Sequence, residues 1–230
     1  MMLSRFFSIL MAICLLFAIP LDAAAQTPAE NLREAFGNTE LKPSSPSSAE
    51  LDAYLDSIMA DIFTGLLPEE LLARGDETEI TEAIGSLAAY EKVLACYDYI
   101  IATVSYGSHM AKLNTTVGNT TCRAIYNSYG AVEGFGAVAL SSAATGMCNA
   151  YASAFILMAR KIGLNAYLVK GSTRSGGGGY VYHEWAEILV DDKIYVFDPQ
   201  LDQRLSGMAM GSHIVFGNTY SDLPGRYIKN

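Results

Sequence analysis

The stretch that most limits what this chain can fold into is "YVYHEWAEILVDDKIYVFDP", Tyr180 to Pro199. Two runs rich in β-branched and aromatic residues flank an Asp191-Asp192 pair, the composition of two strands joined by a tight turn. With the turn placed there, Val190 faces Lys193, Leu189 faces Ile194 and Trp185 faces Asp198. Directly opposed residues of an antiparallel pair share a face. His183, two residues from Trp185, shares it too. His183 and Asp198 thus become diagonal neighbours, about 7–8 Å apart at the backbone and nearer at the side chains. Any turn of even length keeps both on one face, and an odd one separates them. Glu187 shares the face but lies too far along the strand to reach. Glu184 points the other way.

Just upstream the period changes. Tyr151, Phe155, Met158 and Ile162 recur at i, i+4, i+7 and i+11, the spacing of a helix with one core-facing stripe. Arg160, Lys161 and Gly163 give that helix a basic, glycine-capped end. "LNAYLVKG" reads as a strand, and "STRSGGGG" as a mobile loop or flap before the hairpin. Cys148 opens the helix. It shares the apolar stripe, so it reads first as a small core residue. Its place in the first turn, where free N–H groups favour a thiolate, supports a reactive role instead. Gly146 allows a close backbone approach just before it.

The N-terminal half is helical in pattern. Residues 26–48 read as a flexible leader ending in the Pro/Ser linker "KPSSPSS". Leu51, Tyr54, Leu55, Ile58 and Ile62 mark a first helix, Pro68-Glu69-Glu70 starts a second, and "ITEAIGSLAAYEKVLACYDYIIATVSYG" carries one long third pattern. Between 107 and 146, "NTTVGNTTC" reads as a loop, and "AIYNSYGAVEGFGAVALSSAATG" as a short helix followed by a glycine-bearing loop. Helices, one further helix and an antiparallel run of strands make an α+β arrangement. The expected division is an N-terminal helical region over 49–106 and a core over 107–230, packed together as one domain.

Residues 1–25 read as a signal peptide. A start carrying Arg5 precedes the apolar run "FFSILMAICLLFAIP", and Ala23-Ala24-Ala25 supplies small residues before Gln26. The run is shorter than the roughly 20 residues of a membrane span. A membrane anchor is the other reading. Arg5 and Asp22 cancel, so the net charge of −9 is unchanged by cleavage. An acidic chain without a basic cluster is poorly suited to nucleic acid or anionic membranes. An exported protein, secreted or periplasmic, is expected. Cys14 would leave with the signal, and Cys96, Cys122 and Cys148 would remain. Three pairings are possible. A Cys96–Cys122 disulfide would leave Cys148 as the odd thiol.

A first-turn cysteine, a strand histidine and an aspartate on the next strand have the parts of a thiol triad. Cys148 would attack a carbonyl, His183 would take its proton, and Asp198 would hold the ring's tautomer. "GMCNAYASAFILMARKIGLNAYLVKG" followed by "HEWAEILVDDKIYVFDPQ" resembles the transglutaminase-like superfamily, and "SYGAV", Ser128 to Val132, resembles the aromatic segment before its cysteine. The resemblance implies a papain-like core, a cysteine helix packed on an antiparallel sheet, with acyl transfer through a thioester. It carries the roles of nucleophile, base and orienter onto Cys148, His183 and Asp198. Asn149-Ala150 departs from the family pattern, and Glu184 stands where alanine is common, placing a charge near the cleft. Tyr106 and Tyr129 are candidates for the oxyanion helper, beside the backbone N–H of Cys148. Trp185 is expected to pack beside His183. His109 and His213 lack metal-ligand spacing, so neither metal nor cofactor is expected. The expected partner is a peptide or protein substrate, and hydrolysis the expected outcome. A protein cross-linker and a non-catalytic binding module on the same fold are the rivals.

Overall fold

The computed structural model describes residues 27–74, 76–207 and 213–230. The signal peptide expected over 1–25 lies outside the described residues. Helix α1 (Pro28–Asn38) is followed by α2 (Ala49–Thr64), α3 (Glu69–Arg74), α4 (Glu77–Ser86) and α5 (Ala89–Thr103). Three short strands come next, β1 (Ser105–Tyr106), β2 (Thr116–Val117) and β3 (Thr120–Thr121), then α6 (Cys122–Tyr129), α7 (Ala131–Leu140) and β4 (Thr145–Gly146). The cysteine helix α8 (Cys148–Ile162) leads into β5 (Asn165–Arg174), β6 (Tyr180–Val190) and β7 (Lys193–Phe197). Helix α9 (Pro199–Ser206) and β8 (Tyr227–Lys229) complete the chain. Among the described residues no helix is long and apolar enough to cross a membrane.

β7, β6, β5 and β8 form an antiparallel sheet in that order. The hairpin has the expected register, with Val190 opposite Lys193 and Leu189 opposite Ile194. Asp191 and Asp192 both take positive φ, 46° and 63°. Two successive left-handed residues make the turn whose twist matches the flanking strands, and aspartate tolerates that conformation. Helix α8 packs on one face of the sheet. Its stripe of Tyr151, Phe155 and Met158 is wholly buried. Phe155 stacks on Phe197 at 4.8 Å between ring centroids and meets Tyr97 of α5 edge-on at 5.6 Å. One apolar core runs from Leu32 to Phe216, so the N-terminal helices and the sheet share it.

Five local readings are corrected. Part of the "leader" is α1, with a reciprocal cap: the Thr27 hydroxyl accepts from the Glu30 N–H, and Glu30 accepts from the Thr27 N–H. Leu32 and Phe36, at i and i+4, are buried, and Phe36 stacks on Phe197. The Pro/Ser segment after it is tied down by backbone bonds from Lys42 and Ser44 to the carbonyls of Gly163 and Arg160. The long third pattern is two helices, broken at Leu87-Ala88 where both residues are extended. "NTTVGNTTC" is a small hairpin, β2 on β3. The "glycine-bearing loop" after α6 is α7. A Cβ on Gly134 would come within 2.4 Å of Tyr126, and one on Gly136 within 2.5 Å of Leu157. Those glycines are there for close helix packing, not for a turn. The expected flap is also shorter: β5 runs on to Arg174, and Ser175 and Gly179 close a hydrogen-bonded turn.

The Cys96–Cys122 disulfide is not formed. Both side chains are free thiols, wholly buried, one in mid-α5 and the other at the start of α6. Each fills the apolar core as a small hydrophobe. Burial pushes Cys96 up to about 12 and Cys122 up to about 11.

Candidate active site

Cys148 is the first residue of α8, half-buried, with Met147 as the cap. The turn before it is held by a parallel pair of short strands, Ser105–Tyr106 against Thr145–Gly146. Gly107 N–H donates to the Gly146 carbonyl at 2.9 Å. A Cβ on Gly146 would stand 2.4 Å from that of Ala150, so only glycine lets the strand turn this sharply into the helix. The pairing also brings Tyr106 to the cleft. Tyr151, one turn into α8, anchors the helix start: its hydroxyl lies 2.6 Å from the Val104 carbonyl and 2.7 Å from Gln203 Oε1.

His183 and Asp198 meet as the register requires. His183 Nε2 lies 2.6 Å from Asp198 Oδ2, with only 4 % and 1 % of the two residues exposed. That contact leaves Nδ1 as the nitrogen not engaged by Asp198, and His183 and Cys148 line the same cleft. Burial works against charge on the ring. The Asp198 carboxylate, by charge and by hydrogen bond, outweighs it, and Cys148 adds to the effect. The net result raises His183 to about 10. Trp185 stacks beside the ring at 6.3 Å, as expected.

Asp198 has two further partners. Its Oδ1 accepts from the Leu201 N–H at 3.0 Å, which makes it the N-cap of α9 with Pro199 in the first turn. The Tyr227 hydroxyl donates to Oδ2 at 2.8 Å. Burial and the carboxylate keep the Tyr227 phenol protonated far above its ordinary range, so it stays a donor. Tyr227 comes from β8, the last strand, and packs on Trp185 at 4.6 Å. Nothing in its local sequence marks it, because the contact depends on where the final strand joins the sheet.

Cys148 and His183 open into a cleft of about 550 Å³. Tyr106, Met147, Val181 and Tyr182 line it with large exposed apolar surface, and Glu184 also faces it. Tyr129 does not line the cleft; it lies exposed at the end of α6. His109, which follows β1, carries no sequence signal for this site. It is buried against Phe135, and its Nδ1 accepts from the Met147 N–H at 3.4 Å, bracing the cap residue of the cysteine helix. Among the described residues no group of three or more His, Cys, Asp or Glu side chains could hold a metal ion.

Among solved structures, a TGase shares 14% identity, covers 86% of this chain and 37% of its own, and has a TM-score of 0.37. A candidate cysteine protease from Cytophaga hutchinsonii shares 17% identity, covers 83% of this chain and 57% of its own, and has a TM-score of 0.34. The chain thus spans less than two-thirds of either structure. No curated protein matches. The family model of the transglutaminase-like superfamily, by contrast, matches residues 78–199, over half of the chain, and takes in Cys148, His183 and Asp198. The chain belongs to the transglutaminase-like superfamily, whose members are generally cysteine proteases or acyltransferases.

Proposed function

We propose that this protein is an exported thiol enzyme that opens amide bonds through a thioester on Cys148, with hydrolysis of peptides as its reaction. The single observation that carries the reading is the buried His183–Asp198 pair at 2.6 Å, opening onto one cleft with the Cys148 thiol. A histidine raised to about 10 stays protonated at neutral pH and favours a thiolate beside it. The Cys148 sulfur attacks the carbonyl carbon. The carbonyl oxygen gains the charge, and the Cys148 backbone N–H, the first amide of α8, is the donor for it. As the tetrahedral species collapses, the C–N bond breaks and His183 gives its proton to the leaving nitrogen. Water, deprotonated by His183, then attacks the thioester and returns the thiol. Asp198 holds the ring through Nε2 in both steps. Export rests on the pattern of residues 1–25.

Alkylation by iodoacetamide across pH 4 to 9, with the modified cysteine mapped by mass spectrometry, tests the reading. Cys148 should be alkylated faster than a free thiol under the same conditions, because the protonated His183 beside it favours the reactive thiolate. A profile like that of a free thiol would falsify the nucleophile. Release of a carboxylate product separates hydrolysis from transfer. Amine incorporation into a glutamine peptide faster than hydrolysis would make the protein a cross-linker instead.

A further inference from the structure

The cleft holds a carboxylate for which the triad has no use. Glu184 is only 7 % exposed, yet it faces the same cavity as Cys148. Its hydrogen bond comes from the neutral hydroxyl of Tyr182, at 2.5 Å. Among the described residues no lysine or arginine pairs with it. Burying a carboxylate is unfavourable unless a cation or several donors satisfy it. The other buried carboxylates of the sheet are better supplied. Glu187 has Lys229 at 2.7 Å and the Tyr220 hydroxyl, and Asp198 has His183, Tyr227 and Leu201 N–H.

His109 is the neutral neighbour on this side. Burial holds it below its ordinary range, although Glu184 pulls the other way, so it does not cancel the charge. Arg174 and Arg204 also line the cleft, but both are exposed to water. The rim near Glu184 is aromatic: Tyr106 and Tyr182 are each 60 % exposed. An aromatic rim over a buried carboxylate suits an organic cation, which gains an ion pair and ring faces together.

We infer that Glu184 and Tyr182 form a subsite for an ammonium or guanidinium group of the substrate, held beside the reacting carbonyl. This rests on Cys148 being the nucleophile. Two sources carry that chemistry: a basic residue of the acyl donor, or an amine acceptor. A lysine or arginine next to the bond being cut is the donor form. The positive group takes the space beside Glu184 and the carbonyl falls to Cys148.

Matched peptidyl chloromethyl ketones, one with lysine and one with norleucine beside the electrophile, read the subsite directly. Alkylation of Cys148 is followed by mass spectrometry in the wild-type full chain. The lysine probe should label at least tenfold faster than the norleucine probe, and Glu184→Gln should bring the ratio of the two towards one. If the acceptor is the occupant, the two probes label alike but cadaverine slows the norleucine probe, and Glu184→Gln weakens that inhibition. Equal labelling with no effect of cadaverine in the wild type overturns the inference, whether or not the variant folds. Iodoacetamide on the wild type separates this failure from the other. A fast Cys148 with no lysine preference sinks the subsite alone, whereas a slow Cys148 sinks the nucleophile.

Discussion

The two faces of the four-stranded sheet are built from the same strands and behave as opposites. Towards α8, Ala186, Ile188, Val190, Tyr195 and Phe197 meet Tyr151, Phe155 and Met158, all buried hydrophobics. On the other face, Trp185, Val196, Leu201, Leu205 and Val215 make a smaller cluster. Around it lie His183, Glu187, Asp198 and Asp202, each no more than 4 % exposed. The first face is held by area and fit. The second is held by pairing: Asp202 takes the Tyr97 hydroxyl at 2.6 Å and the Val215 N–H, and Glu187 takes Tyr220 and Lys229. A change on the apolar face costs the volume removed. A change on the polar face strands a charge that the remaining structure cannot solvate.

Asp198→Ala should show the largest effect. Activity on any peptide substrate should fall on the order of 10³-fold or more, as when other triads lose a member. His183 would also be left buried without its carboxylate, and α9 without its cap, so stability should drop by about 3–5 kcal/mol in urea unfolding. A change under 1 kcal/mol would mean that this face is not held by pairing. Phe155→Ala on the other face should cost a similar 3–5 kcal/mol, through lost area and a cavity. The folded fraction should keep its Cys148 alkylation profile. If that profile shifts as it does in Asp198→Ala, the two faces are not separable.

The titration of His183 gives a finer test. Its folded value, about 10, lies above the ordinary 6.5 of the unfolded chain. The protonated ring therefore contributes stability that is fully present below pH 6.5 and lost as pH rises through 10. The stability gap between wild type and His183→Gln should shrink steadily over that window. A gap that stays flat would show that the ring is not charged in the folded protein.

Much of this geometry is legible in the chain because it follows from period two. The Asp-Asp turn sets an even register, and the register puts His183 and Asp198 on one face. The helix stripe and its Gly163 cap are legible for the same reason, a simple period with a clear stop. Two kinds of feature are not. Leu32 and Phe36 sit in a short helix between polar runs, and the prolines and serines around it hide the i, i+4 pair. Tyr227 reaches Asp198 because β8 joins β5 on its outer edge, a long-range pairing without a local signature. Glu184 illustrates a third limit. Alternation places it away from His183, but only the assembled cleft brings both faces of the strand end to one cavity.

Tyr227→Phe should lower stability by about 1 kcal/mol, the usual net worth of one buried hydrogen bond, and reduce activity several-fold rather than abolish it. Asp198, relieved of one donor, would bind the imidazolium more strongly, so the alkaline limb of the pH profile should move up. No upward shift would make Tyr227 a packing residue only.

The smallest effect separates the thiols. Cys96 and Cys122 lie in the apolar core, where burial keeps them protonated and out of reach, whereas Cys148 stands half-buried against His183. In the native protein a thiol reagent should titrate Cys148 quickly and the other two only after unfolding. Adding reductant should leave the melting temperature unchanged within about 1 °C. A bridge between Cys96 and Cys122 would close a loop long enough to stabilise by about 3 kcal/mol. Its reduction would lower the melting temperature by several degrees. Such a drop would require α5 and the start of α6 to come together in a way the free-thiol core does not have, and the apolar face would then owe part of its stability to a covalent link rather than to packing alone.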